Sequence, residues 1–335
     1  MIFPRAAAFA AAAAIQGCAS IGFESCDAPA AVSRSAADGE LRIVSWNVHA
    51  LPFDRSRHQR LDNIAGEIAQ RSPDVVLLQE VWLARDAARL GCRLAARYEP
   101  VRGPRRGGLL ALVRRSSAWE VHGEASFEQY TASAPWYRLE ELDGIAGKGF
   151  QGFTLADGAR RVAVVNTHLQ AQYPARGNPY DAERLQQIRQ LSAYAAKDHG
   201  ADALLVAGDF NVREEERAHY AALATGLTDL TQNYRRECRC GTFVDRSGAE
   251  TWWIDYVFAR RADRAPVVAR VERILNRRRD DPFSDHHGLM VQLSVGPQLG
   301  TPFAPLLPPF TRRGDHGADA REQDPEQRAG NARTR

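Results

Sequence analysis

Between residues 40 and 295, short apolar runs alternate with amphipathic stretches. Leu41-Arg42-Ile43-Val44-Ser45-Trp46 predicts a strand. Over residues 60–69, Leu61, Ile64 and Ile68 recur at helical spacing, and the continuous run Val75-Val76-Leu77-Leu78 reads as a strand covered on both faces. The domain therefore opens strand-helix-strand. Further strands are predicted over 109–113 and 161–169, the latter alternating through Val162, Val164 and Asn166. Residues 181–196 predict a helix with Asp181 as its cap and Leu185, Ile188, Leu191 and Ala195 as its apolar stripe. Segments 203–207, 252–258, 267–271 and 289–293 complete a strand-rich set. The absence of a fixed repeat disfavours a solenoid or propeller.

The pattern fails at both ends. Residues 1–17 carry one charge, Arg5, and an Ala/Phe/Ile run too short to span a bilayer, as expected of an export signal. Ile15-Gln16-Gly17-Cys18-Ala19 resembles a bacterial lipobox, which would leave Cys18 lipidated and the chain anchored to a membrane as an outer-membrane or periplasm-facing lipoprotein. A plain secretory signal is the alternative. Residues 18–39 read as a flexible tether, and 296–335, rich in proline and then in mixed charge, as a disordered tail. One domain over 40–295 remains, long enough for a sizeable core and expected to be monomeric.

Composition changes this picture little. The 44 basic and 41 acidic residues nearly cancel, which disfavours a protein that coats a polyanion. The basic residues are almost all arginine; Lys148 and Lys197 are the lysines. Apart from Cys18, an exported chain would carry Cys26, Cys92, Cys238 and Cys240, an even set with three possible pairings. Nothing near Cys238-Arg239-Cys240 completes a zinc ligand set, so disulfide or inert cysteine is the expectation.

Candidate chemistry enters through the ends of the apolar strands. Asn47 ends the first and Glu80 follows the second. Asn166-Thr167-His168 ends another, and Gly208-Asp209-Phe210-Asn211 the next. Asp255 falls inside the 252–258 run, and Ser284-Asp285-His286-His287 leads into the last strand. A carboxylate in an apolar strand is costly unless compensated. Six such events predict one shared polar pocket. Its carboxylate and amide oxygens, without thiolate, suit Mg²⁺ or Mn²⁺, and histidine adds a group able to move a proton near neutrality. Hydrolysis at phosphorus is the natural chemistry of such a set.

Ser45-Trp46-Asn47, Leu78-Gln79-Glu80-Val81-Trp82, Asn166-Thr167-His168-Leu169, Gly208-Asp209-Phe210-Asn211, Ile254-Asp255-Tyr256 and Ser284-Asp285-His286 occur in that order. On them the chain resembles the endonuclease/exonuclease/phosphatase superfamily. The stretch from His168 through Gln172 and Tyr173 to Asn178, Tyr180, Arg184 and Gln187, with Gly147-Lys148-Gly149, is most similar to its neutral sphingomyelinase branch. This resemblance implies an α/β fold, the four-layered DNase I-like sandwich of two mixed β-sheets face to face with helices outside. It implies Glu80 as principal metal ligand with Asn47 beside it and Asp285 aiding, and His286 as general base oriented by Asp255. Asp209 and Asn211 would position water and phosphate. His168 would face the phosphate from the other side, and Lys148 would bind substrate. His287 beside His286 leaves a second histidine to be placed.

The substrate remains open at this level, because loops choose it. Residues 130–148, 173–180 and 232–253 carry Trp136, Tyr137, Tyr173, Tyr180, Trp252 and Trp253, which could enter a lipid interface or stack on bases. A phospholipase-C-like phosphodiesterase acting on sphingomyelin or a related phospholipid is the leading reading. A nuclease or nucleotide phosphatase, favoured by Arg102-Gly103-Pro104-Arg105-Arg106, is the alternative, and a non-catalytic binding lipoprotein the third.

Overall fold

The computed structural model of the chain describes residues 39–135, 146–158, 160–173, 176–245, 247–261, 267–274 and 283–295. The expected signal, lipobox and tail, the tether apart from Gly39, and Trp136 and Tyr137 lie outside them.

Apolar alternation builds two six-stranded sheets. In chain order the strands are β1 (Glu40–Asn47), β2 (Val75–Gln79), β3 (Tyr98–Pro100), β4 (Leu110–Arg114), β5 (Glu120–Gln129), β6 (Gly149–Ala156) and β7 (Arg161–His168). Then come β8 (Ala203–Asp209), β9 (Thr228–Asp229), β10 (Phe243–Val244), β11 (Glu250–Trp252), β12 (Asp255–Arg261), β13 (Val267–Ile274) and β14 (Gly288–Ser294). The helices are α1 (Arg57–Arg71), α2 (Ala84–Leu94), α3 (Asp181–Ala195), α4 (Arg217–Leu223) and α5 (Gln232–Cys238). One sheet runs β13-β14-β1-β2-β4-β3 and the other β5-β6-β7-β8-β12-β9, with β10-β11 a separate ribbon. Each sheet holds one parallel pair, β1 with β2 and β7 with β8, among antiparallel neighbours.

The period of two explains the layers. On β1 and β2, Leu41, Ile43, Val75 and Leu77 join Val164, Leu205 and Val257 of the second sheet in the central core. Their neighbours Val44, Trp46, Val76 and Leu78 face the other way, onto Leu61, Ile64 and Ile68 of α1 and Leu90 of α2. Ile188, Leu191 and Ala195 of α3 pack on the second sheet. The result is the helix, sheet, sheet, helix sandwich implied by the resemblance.

Two local expectations differ from the structure. Asp181 is the first residue of α3, not its cap; Tyr180 occupies that position without a side-chain cap, and Asp181 instead accepts from Arg184 at 2.6 Å. The 252–258 run is not one strand. Thr242 Oγ1 accepts the N–H groups of Ile254 and Asp255 at 3.0 and 3.2 Å, which separates β11 from β12 and puts Asp255 at a strand start. Strand β5 carried no clear signal, since it is a largely exposed edge of polar residues. Cysteines 238 and 240 are joined to each other, and Cys92 is also disulfide-bonded.

Pairing register places the chemistry. Asn47 lies opposite Gln79, His168 opposite Asp209, and Asp255 opposite that same Asp209. Antiparallel β14 begins beside Ser45, so Asp285 and His286 enter at the same end. Parallel strands finish together; that is why residues far apart in sequence share one end of the sandwich.

Candidate active site

Asn47, the last residue of β1, joins the two sheets. Its Nδ2 donates to Glu80 Oε1 at 3.0 Å and to Asp209 Oδ2 at 2.9 Å, while its Oδ1 accepts from the His49 amide at 3.0 Å. Behind it lies a buried polar tie: Gln79 Nε2 donates to Asn166 Oδ1 at 2.8 Å, and Asn166 Nδ2 donates to the Leu78 carbonyl at 3.1 Å. These cross-sheet bonds sit one and two residues from Glu80 and His168, fixing the distance between the halves of the site.

Glu80 leaves β2 with φ of 62°, a left-handed conformation that costs a non-glycine residue about 1–2 kcal/mol. The turn aims its carboxylate across the cavity. Oε1 is engaged by Asn47, but Oε2 is buried with no hydrogen-bond partner. An orphaned carboxylate oxygen flanked by an amide is a donor set that fits a hard cation. The third expected ligand, Asp285, lines the same cavity, but its Oδ2 faces His49 Nδ1 at 3.2 Å, and that imidazole lies 3.8 Å from Glu80 Oε2. His49 thus stands between two of the expected ligands. A second tight donor cluster is formed by Asp209, Asp255 and His286.

The other half handles protons. Asp255 Oδ2 bonds His286 Nδ1 at 2.8 Å, and His286 Nε2 lies 3.7 Å from Asp209 Oδ2. Burial alone would lower the His286 pKa, but the Asp255 and Asp209 carboxylates outweigh it and hold the imidazole well above its ordinary range. Burial pushes the Asp209 carboxyl up to about 7, against the pull of His286. His168 is the reverse case: burial first, then the charges of Lys148 and His286, hold it well below the ordinary histidine value. Its Nε2 lies 3.0 Å from Lys148 Nζ and 3.4 Å from Asp209 Oδ2. The Lys148 ammonium also donates to the Leu169 carbonyl at 2.8 Å. Asn211, with φ of 50°, donates its amide N–H to Asp209 Oδ1 at 2.9 Å and its side chain to Leu169 O at 3.2 Å.

The structure therefore brings Glu80, Lys148, His168, Asp209, Asn211, Asp285 and His286 onto one cavity of about 340 Å³, with Asn47 and Asp255 bonded directly behind its wall. His286 lines that cavity; His287 does not, its Nε2 lying 3.3 Å from Glu250 Oε1 and its amide bonded to Thr242 O. Sequence reasoning missed His49, Thr242 and Phe243. The ring of Phe243 packs edge-on against His286 with centroids 5.3 Å apart, and the segment 242–244 pairs with the loop before β14. His49 had a signal, two residues beyond Asn47 at the same strand end. Thr242 had none, because it acts through backbone amides twelve and thirteen residues away.

Comparison with known proteins agrees with this geometry. The model of the Endonuclease/Exonuclease/phosphatase family matches residues 44–286. Human sphingomyelin phosphodiesterase 2 is 24% identical over 76% of this chain and 64% of its own length. The inositol phosphosphingolipids phospholipase C of Schizosaccharomyces pombe is 28% identical over 57% of this chain and 45% of its own. This chain thus covers less than two thirds of the length of these relatives. Among solved structures, D. rerio TDP2 complexed with a single-strand DNA product superposes with TM-score 0.63 at 20% identity, covering 77% of this chain and 100% of that one.

Proposed function

The chain belongs to the endonuclease/exonuclease/phosphatase family, and on that premise we propose that it is a divalent-metal-dependent phosphodiesterase of phospholipase-C type, acting on sphingomyelin or a related phospholipid. The observation that carries the chemistry is the orphaned Glu80 carboxylate sharing one cavity with His286, whose Nδ1 is hydrogen-bonded to Asp255. Glu80 and Asn47, with Asp285, would hold Mg²⁺ or Mn²⁺, which when bound neutralises phosphate charge and lowers the pKa of water. His286 takes the proton of the attacking water at Nε2. Asp255 fixes Nδ1 as the protonated nitrogen and stabilises the imidazolium that results. Asp209 and the Asn211 amide orient the water and a phosphate oxygen. Lys148 and neutral His168 face the negative charge that builds in the transition state.

Lipid is favoured over nucleic acid by the relatives in sequence, a sphingomyelin phosphodiesterase and an inositol phosphosphingolipids phospholipase C. Trp252 stacks on Phe243 with one face and carries the Arg213 guanidinium over its ring, and Tyr173 packs edge-on against Tyr180. Rings already in use are poor platforms for bases. The Arg102–Arg106 run is not part of the cavity lining, which weakens the nuclease reading. Export is part of the proposal, with anchoring through Cys18; the disulfides at Cys92 and Cys238–Cys240 suit an oxidising compartment.

The test is a substrate panel with Mg²⁺. Release of phosphocholine from sphingomyelin, with plasmid DNA left intact, supports this reading. Degradation of DNA without headgroup release replaces it with the nuclease, and inertness toward both and toward an aryl phosphodiester leaves only a binding protein.

A further inference from the structure

Phe53 is the one large hydrophobic side chain among the described residues that is exposed, at 66%. A single exposed apolar residue ordinarily needs no explanation. This one differs in where it is and in how it is held. The two residues before it, Leu51 and Pro52, line the substrate cavity, so Phe53 stands at the rim of its mouth. The tip is a β-turn closed by the Asp54 amide donating to Leu51 O at 3.1 Å, with proline at the second turn position, where its fixed φ favours the turn.

Two buried arginines of α1 mount this turn. Arg57 Nη1 donates to the carbonyls of Leu51, at 3.1 Å, and Pro52, while its Nε holds Asp86 at the start of α2. Arg60 Nη1 donates to His49 O at 2.7 Å and Nη2 to Asp54 Oδ2 at 2.7 Å, and its Nε reaches Phe283 O at 2.8 Å. Asp54 also accepts from the Ser56 amide and hydroxyl, and its carboxyl is held down at about 2 despite burial. Carbonyls 49, 51 and 52 are thus all tied to the helix. A loop so fastened could have folded its phenylalanine inward, yet it holds the ring out, beside exposed Arg55 and His58.

We propose that the Phe53 turn is the element that docks the cavity mouth onto a phospholipid bilayer, the ring entering the headgroup and acyl boundary and Arg55 meeting lipid phosphates. The inference rests on the lipid reading above. A phosphodiester in a bilayer lies at the depth of the headgroups, so an enzyme that takes it without extracting the lipid must press its cavity rim against that plane. An aromatic ring on a rigid mount suits this contact: it adds apolar area without the entropic cost of ordering a loop. A second copy of the chain is the competing occupant.

The test compares the full-length protein with F53S and F53W on sphingomyelin/phosphatidylcholine vesicles and on the water-soluble bis(p-nitrophenyl) phosphate. F53S is expected to lose at least tenfold in vesicle hydrolysis, to keep its rate on the soluble ester within twofold, and to be rescued by F53W. F53W emission is expected to shift to the blue with vesicles and to be quenched by lipids brominated in the acyl chain. Unchanged vesicle hydrolysis by F53S overturns the proposal, as does an unquenched F53W or a dimer that F53S converts to monomer. If the wild type releases no headgroup from any lipid, the lipid reading fails separately, and quenching of F53W still decides the docking.

Discussion

The two walls of the cavity are built by different means. On the wall from β1 and β2, the Glu80 side chain is carried by a strained backbone and keeps one carboxylate oxygen unsatisfied, and His49 makes a looser contact near solvent with Asp285 of the loop before β14. On the wall from β8, β12 and the loop before β14, Asp209, Asp255 and His286 are buried, with His286 bonded to Asp255 and 3.7 Å from Asp209. The first wall leaves Glu80 Oε2 open to a cation, whereas the second already holds His286 through Asp255 Oδ2, with Asp255 Oδ1 also buried and without a hydrogen-bond partner. The difference teaches a division of labour: one wall is arranged to gain charge, the other to move a proton.

The severest way to break this comparison is to remove one group from each wall. His286→Ala is expected to lower kcat by about 10²–10⁴, the usual worth of a positioned general base. Glu80→Ala should cost as much, but His287→Ala should stay within about tenfold, since His287 turns to Glu250. Steady-state rates on one phosphodiester rank the three, and loss in His287→Ala with retention in His286→Ala reverses the base assignment.

A subtler cut is Asp255→Asn. A base must be unprotonated to act, so with its pKa held above 6.5 the rate climbs with pH through a midpoint above that value. Removing the Asp255 charge lets burial prevail, and the acid limb of kcat/KM should move to lower pH while kcat falls about 100-fold. The stability linkage has the same origin. A raised histidine pKa stabilises the fold below its unfolded value, and this contribution is lost as pH rises through the folded value. The Tm advantage of wild type over His286→Ala should therefore shrink between neutral and alkaline pH.

Thr242→Val sharpens the contrast from outside the cavity. It strips the acceptor from two buried amides at the start of β12, each worth about 1–3 kcal/mol when left unsatisfied. Chemical denaturation should record that loss and kinetics a drop of about tenfold in kcat, with KM little changed. The smallest effect is expected at the strained turn: Glu80→Gly should be more stable than Glu80→Ala by about 1 kcal/mol, the reverse of the common order, because glycine adopts the left-handed conformation without penalty. Equal denaturation midpoints would remove strain from the account.

How much of this was readable in the sequence follows from how each feature is encoded. Val75 to Leu78 announced a two-faced strand because both neighbours of a central strand are apolar layers, and α1 showed its stripe at Leu61, Ile64 and Ile68. The polar residues at strand ends were legible for the same reason: Asn47, His168 and Asp209 interrupt runs that otherwise only pack. What escaped was contact between distant segments. Nothing in Gly241-Thr242-Phe243 says that it clasps both Asp255 and His286, and β5, an exposed edge, has no core-facing period to read. The direction of Asp285 and the opposite pKa behaviour of His168 and His286 arise from their neighbours in space, which residue spacing does not encode.

The division between the walls is tested most directly by Mn²⁺ titration, followed by the electron paramagnetic resonance signal of the free ion, on wild type, Glu80→Ala and His286→Ala, with turnover measured on the same samples. The account predicts that Glu80→Ala, folded by circular dichroism, fails to take up the ion, and that His286→Ala takes it up like the wild type without turning over. Uptake by Glu80→Ala equal to wild type, or loss of uptake in His286→Ala alone, would contradict it.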